Sequence, residues 1–168
     1  MIMQATPRVW SKTAHGEISI ARPISGLELL SLRGWNRPWS GSVSGLGLVL
    51  NEAPVPAEAR VAGLRRELGI GVVLCVPAKE HYSLVGRGAL SASVVAFDFS
   101  LMDRPDVALP LRARVRPWIA SVPQLDKALR RLISRVAADG SSSCTPEYTA
   151  VMRELAAVTV STPPSPAA

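Results

Sequence analysis

The sequence predicts a mainly β protein, a sandwich or barrel, that ends in an antiparallel pair of helices. Between residues 17 and 99, short apolar runs alternate with Gly, Pro, Ser and Asn, and prolines such as Pro38 and Pro77 fall between these runs. Beyond Pro123, apolar residues recur at intervals of three and four, which indicates helices. We therefore divide the chain into an N-terminal arm (1–16), a β-barrel (17–120), a helical dimerisation segment (121–160) and a linker-like tail (161–168).

Individual strands are predicted from their polarity patterns. Residues 17–20 alternate polar and apolar side chains, as a half-buried strand does, and residues 27–32 behave similarly. The apolar runs at 46–50, 72–76 and 93–97 suit buried strands. Residues 57–68 are ambiguous and could form a short helix, but a single interruption of this kind does not make a parallel βαβ sheet.

Two helices are predicted at the C-terminal end. Residues 141–143 form a serine connector, after which Thr145 is placed to cap the second helix, with Pro146 in its first turn. The apolar stripe of the first helix is the predicted dimerisation surface, since two-fold homodimers are the commonest closed assembly. Packing of this stripe against the second helix of the same chain is the alternative, and both arrangements can hold together. The stripe consists of Leu125, Leu129, Leu132, Ile133 and Val136.

Composition indicates a folded protein of one domain. The chain has 168 residues, of which 48% are hydrophobic and 19% charged. It contains no apolar run of about 20 residues and no secretory signal pattern, and its two cysteines are too few for a disulfide framework, so a cytoplasmic location is expected. The formal charge of +6 comes from scattered arginines, for which a solvated basic surface is favoured over direct contact with nucleic acid.

One turn motif carries a resemblance to a known family. Pro77-Ala78-Lys79-Glu80-His81 follows the apolar run 72–76, and a Pro-Trp turn, Arg37-Pro38-Trp39, lies upstream. This block resembles the second motif of cupin β-barrels. Over residues 17–160 the chain resembles the N-terminal effector-binding and dimerisation domain of AraC-family transcription regulators.

The resemblance implies a cupin-like (jelly-roll) barrel whose hollow interior binds a small organic effector, followed by helices that form a homodimer. In that family, DNA is bound by a separate C-terminal domain with two helix-turn-helix motifs. That domain is absent from this chain, so we expect either a truncated regulator or a free-standing sensor domain.

The sequence departs from metal-binding cupins, which carry a His-x-His pair in the first motif and a carboxylate downstream. The matching stretch is Ser42-Val43-Ser44, and His15, the only histidine besides His81, lies in the predicted arm. One imidazole and hydroxyls cannot supply the three or four ligands of a transition metal. We therefore predict no metal, no cofactor and no enzymatic activity. A metal-dependent cupin enzyme and a free-standing small-molecule-binding protein are the alternatives.

The predicted effector site combines the turn histidine with aromatic and hydroxyl side chains near the Pro-Trp turn. His81 could hydrogen-bond an effector at the barrel mouth or satisfy a turn carbonyl. The two tryptophans could form the wall of a pocket or plug the barrel end, and the serines could hydrogen-bond an effector or fill space. The predicted ligand-binding residues are Trp35, Trp39, Ser42, Ser44, Glu80, His81 and Tyr82.

Other sites are weaker. Arg112, Arg114 and Arg116 alternate, so an extended backbone would place them on one face, where they could hold an anionic effector or a partner domain. A solvated face is the favoured interpretation. The sequence contains no Gly-x-Ser-x-Gly elbow, phosphate-binding loop or dinucleotide glycine fingerprint, which disfavours hydrolases and nucleotide-binding proteins.

Overall fold

The computed structural model describes residues 9–98, 116–139 and 144–161, which form eleven strands and two helices. The strands are β1 (Ser11–Thr13), β2 (Gly16–Ile24), β3 (Leu27–Trp35), β4 (Trp39–Ser42), β5 (Leu46–Asn51), β6 (Ala57–Val61), β7 (Leu64–Leu68), β8 (Val72–Val76), β9 (His81–Gly86), β10 (Leu90–Phe97) and β11 (Trp118–Ser121). The helices are α1 (Pro123–Asp139) and α2 (Thr145–Ser161). Neither helix is long and apolar enough to cross a membrane.

The strands form two antiparallel sheets. One has seven strands in the order β1-β2-β3-β10-β5-β8-β11, and the other has four in the order β4-β9-β6-β7. Strands β3 to β10 pair from the outside inwards, β3 with β10, β4 with β9, β5 with β8 and β6 with β7. An eight-stranded hairpin rolled in this way is a jelly roll. The predicted fold class, a cupin-like β-barrel followed by a helix pair, is confirmed.

Side chains fill the space between the two sheets. Val49, Leu74 and Val76 from the large sheet pack in one cluster with Ala59 and Leu84 from the small sheet, and all five have no exposed surface. These five side chains are therefore closely packed across the two sheets. The hollow that the resemblance implies elsewhere in the barrel stays a prediction.

The helix pair covers the opposite face of the seven-stranded sheet. Leu48 and Phe97 of that sheet share a second apolar cluster with Tyr148 and Leu155 of α2, and the Phe97 and Tyr148 rings lie 5.9 Å apart. The α1 stripe belongs to the same cluster, and every member of it is buried within the chain. This burial favours the alternative, packing within one chain, and the dimerisation of this stripe stays a prediction. The buried stripe residues are Leu125, Leu129, Leu132, Ile133 and Val136.

Two segments differ from their predicted structure. Strand β1 lies within the predicted arm, and the pairing of Ser11 with Ile18 adds it to the edge of the large sheet. Residues 57–68, considered as a short helix, form the β6–β7 hairpin. Its turn residues Ala62 and Gly63 have φ angles of 47° and 82°, as a two-residue type I′ turn requires. The unusual alanine at a left-handed position hides the turn from the sequence.

Candidate functional site

The pairing of β4 with β9 decides which of the predicted site residues face the barrel interior. Ser42 lies opposite His81, and Gly41 lies opposite Tyr82. Ser42 and His81 are exposed, whereas Tyr82 is buried. Successive side chains point to opposite faces of a sheet, so Ser42 and His81 lie on the outer face and Gly41 and Tyr82 on the inner one. His81 and Ser42 therefore point away from the barrel interior, and their contact with an effector stays a prediction.

The predicted aromatic residues belong to the packed interior. Trp39 Nε1 donates a hydrogen bond to the Tyr82 hydroxyl at 2.9 Å, and the Trp35 and Trp39 rings meet edge to face at 5.6 Å. Burial raises the pKa of Tyr82, and the hydrogen bond from Trp39 partly offsets this. A Cβ at Gly41 would lie 3.4 Å from the phenol, so glycine leaves room for the ring. This packing favours the alternative that the tryptophans plug the barrel end, and their contact with an effector stays a prediction.

The remaining predicted residues lie elsewhere. Ser42 and Ser44 line a cleft of about 410 Å³ beside the surface ion pair between Arg22 and Glu28. Glu80 is half-buried in the turn before β9, where its backbone N–H donates to the carbonyl of Pro77 at 3.2 Å. Of the three alternating arginines, Arg112 and Arg114 lie outside the described residues and Arg116 is exposed. The structure therefore distributes the predicted site over several places.

A different cleft brings polar groups together at the hairpin end of the four-stranded sheet, where residues from both faces of the sheet line it. It has a volume of about 510 Å³ and lies where the β6–β7 hairpin meets the start of β9. We call it the hairpin cleft. Its polar lining comes from two arginines, one histidine and three hydroxyl-bearing residues, and its apolar lining from residues at the hairpin end. The lining comprises Ser40, Arg60, Val61, Ala62, Gly63, Leu64, Arg65, His81, Tyr82 and Ser83.

Both arginines of the hairpin cleft are oriented by one carboxylate. Glu58 accepts a hydrogen bond from Arg60 Nε at 2.8 Å and forms an ion pair with Arg65 Nη2 at 2.9 Å. The hydrogen bond from Arg60 is the main reason that the pKa of Glu58 is lowered, and the contact with Arg65 adds to it. Glu58 is therefore a stable anion that holds both guanidinium groups over the sheet.

Sequence reasoning found His81 and Tyr82 but missed Arg60 and Arg65 of this cleft. The signal was present in Ala57-Glu58-Ala59-Arg60-Val61, which alternates small apolar with charged residues as a half-buried strand does. Reading residues 57–68 as a possible helix obscured it.

Comparison with known proteins adds the fold alone. No family model and no curated protein matches the chain. Among solved structures, oxalate decarboxylase from Bacillus subtilis aligns with a TM-score of 0.48 at 12% identity, over 60% of this chain and 30% of that chain. KdgF from Halomonas sp. aligns with a TM-score of 0.42 at 14% identity, over 54% and 88%. Vicilin from tomato (Solanum lycopersicum) aligns with a TM-score of 0.43 at 20% identity, over 55% and 30%.

Similarity at this level carries no argument about function, and the jelly-roll assignment rests on the strand order. Mn(II) centres are named for oxalate decarboxylase, and they are a property of that protein. The interior positions of β4 and β9 carry Trp39, Gly41 and Tyr82, which are not usual metal ligands. Across residues 9–98, 116–139 and 144–161, no three His, Cys, Asp or Glu side chains form a group that could hold an ion. The residues of this region do not fit a metal.

Proposed function

We propose that this chain is a non-catalytic, metal-independent small-molecule sensor, the effector-binding domain of an AraC-type transcription regulator. The hairpin cleft is the observation that supports the proposal. Its volume of about 510 Å³ falls within the range of small-molecule sites, about 300–1,000 Å³. It combines apolar surface from Leu64 with polar groups from Arg60, Arg65 and Ser83, which lie on three different strands. We infer that the effector binds at the hairpin end of the small sheet.

A chain of contacts leads from this cleft to the helices. Arg66, which follows the cleft residue Arg65, donates from Nη1 to the carbonyl of Ile119 at 3.2 Å and thereby joins β7 to β11. The residue after β11, Val122, donates its N–H to the carbonyl of Gly71 at 2.8 Å directly before α1 begins. An effector that favours one arrangement of the hairpin would shift the position of α1 by population shift. In a homodimeric regulator, that shift would change the spacing of attached DNA-binding domains.

The proposal that the hairpin cleft binds a small organic molecule is tested by a ligand screen. Molecules that raise the thermal unfolding midpoint of the protein are then titrated by calorimetry. The Leu64→Glu variant should no longer bind these molecules, because the substitution places a charge on the apolar wall of the hairpin cleft. Val55→Glu is the matched control, since Val55 is an exposed apolar residue outside the cleft. Hits that bind both variants equally would contradict this location.

The proposals that the chain works without a metal and that it belongs to a transcription regulator need separate measurements. Elemental analysis of protein purified without chelators should find manganese, iron and zinc far below one ion per chain, and a stoichiometric metal would instead support a metal-dependent cupin enzyme. The regulator assignment predicts two helix-turn-helix patterns within the ~100 residues encoded downstream of this chain. A stop codon or an unrelated domain there would favour a free-standing binding protein.

A further inference from the structure

The hairpin cleft contains a row of side chains that crosses all four strands of the small sheet. Arg65 on β7 lies opposite Arg60 on β6, Arg60 lies opposite Ser83 on β9, and Ser83 lies opposite Ser40 on β4. Directly opposed residues share a face of the sheet, so the row presents two cations followed by two hydroxyls. Like charges in direct opposition destabilise a sheet. An anion close to both cations would relieve that repulsion.

Glu58 supplies only part of the negative charge. It contacts Arg60 through Nε and Arg65 through Nη2, and a guanidinium carries five N–H donors, so most donors of both groups are left over. Glu67 lies opposite Glu58 in the same sheet, but Arg87 binds the Glu67 carboxylate at 2.6 Å. Two arginines against one shared carboxylate leave the cleft with one net positive charge.

Hydroxyl and imidazole groups complete the donor set around these arginines. Ser40, Ser83 and His81 line the same cleft, and among the described residues none of the three has a side-chain hydrogen-bond partner within the protein. Serine can donate to an anion, and histidine can do so from a ring N–H. Arginine pairs prefer planar or tetrahedral oxyanions because their parallel N–H groups match two oxygen atoms at once.

We propose that the hairpin cleft binds a small organic anion, whose carboxylate or phosphate is held by Arg60, Arg65 and Ser83 and whose apolar part packs on Leu64. This inference rests on the proposed function, since it names the class of effector that the cleft selects. The side chains of Arg60 and Arg65 are 54% and 65% exposed, so their attraction for an anion is partly screened and weakens as salt is added. The hairpin cleft should therefore bind an anion more tightly than a neutral molecule of the same shape.

The test uses three probes of equal ring size, benzoate, phenyl phosphate and benzyl alcohol, titrated by calorimetry at low salt. Benzoate, phenyl phosphate or both should bind, benzyl alcohol should bind at least about tenfold more weakly, and 0.5 M NaCl should weaken the anion. The combined variant Arg60→Ala and Arg65→Ala should lose at least about tenfold in affinity for the anion. Benzoate alone would identify a carboxylate site, and phenyl phosphate alone a phosphate site.

Arg22→Ala is the control variant, because Arg22 is an exposed, ion-paired arginine outside the hairpin cleft. It should bind as the unaltered chain does, and circular dichroism should show all variants folded. Benzyl alcohol binding as tightly as the anions, no binding of either anion at 10 mM, or an unchanged affinity in the double arginine variant would each overturn the inference. The proposed function has its own test. It fails if the wider screen finds no ligand, charged or neutral, that binds the unaltered chain and not the Leu64→Glu variant.

Discussion

Truncation of Leu129 to alanine is expected to lower the stability of the single chain, not its self-association. Leu129 has no exposed surface and belongs to the apolar cluster that joins α1 and α2 to the seven-stranded sheet. Removing three buried carbons at such a site costs about 2–5 kcal/mol, because contacts are lost and a cavity remains. The whole free energy of unfolding of a domain is only about 5–15 kcal/mol.

Urea denaturation followed by tryptophan fluorescence measures this loss. With a slope of about 2 kcal/mol per M, a loss of about 3 kcal/mol lowers the urea midpoint of Leu129→Ala by about 1.5 M. The shift should be the same at all protein concentrations, since the interface lies within one chain. Arg131→Ala is the control, because Arg131 is exposed on the same helix and its removal should change the midpoint little.

A loss below about 1 kcal/mol would refute the packing of α1 on the sheet. A loss that shrinks as the protein is diluted would instead support the prediction that this stripe joins two copies.

Three further outcomes follow from buried groups and close packing. Burial raises the pKa of Cys75, so above about pH 8.5 the unfolded chain releases a proton that the native thiol keeps. The ionisation of Cys75 should therefore lower the free energy of unfolding by about 1.4 kcal/mol for each pH unit. Urea titrations between pH 9 and 10.5 should show that the free energy of unfolding falls less steeply with pH in Cys75→Ala than in the unaltered chain. Equal slopes in the two proteins would contradict this prediction. A double-mutant cycle of Trp39→Phe and Tyr82→Phe should give a coupling of about 1 kcal/mol, whereas additive losses would mean that their hydrogen bond contributes nothing. Gly45→Ala should lower the thermal midpoint, because the new Cβ would lie 1.9 Å from a backbone carbonyl oxygen of β10. Gly88→Ala is the control and should leave the midpoint unchanged, because a Cβ there meets open space. Similar midpoints for the two variants would show that the backbone around Gly45 relaxes.

The fold was predictable because its signals are local and agree with one another. Apolar runs at 46–50, 72–76 and 93–97 fall within β5, β8 and β10, and the periodic segment after Pro123 is α1. Turn chemistry failed only at residues 57–68, where an alanine occupies a left-handed position that sequence rules reserve for Gly, Asn or Asp.

The site was harder to predict because a one-residue difference reverses the face of a strand. His81 and Ser42 do lie together, as directly opposed residues, but on the solvent side of the sheet. Arg60 and Arg65 are five positions apart in the sequence and become neighbours only through the hairpin. The role of the α1 stripe was equally undecidable from its period, since an apolar helical face looks the same whether a sheet or a second copy covers it.

The direction of the side chains along β9 is the most direct test of the account, and cysteine labelling measures it. His81→Cys, Tyr82→Cys and Ser83→Cys are compared for their rate of reaction with a thiol reagent in native buffer, against a low background because both native cysteines are buried. The account predicts fast labelling at positions 81 and 83 and protection at 82 until the protein unfolds. Protection at 81 and 83 with fast labelling at 82 would contradict it and would return His81 to the barrel interior.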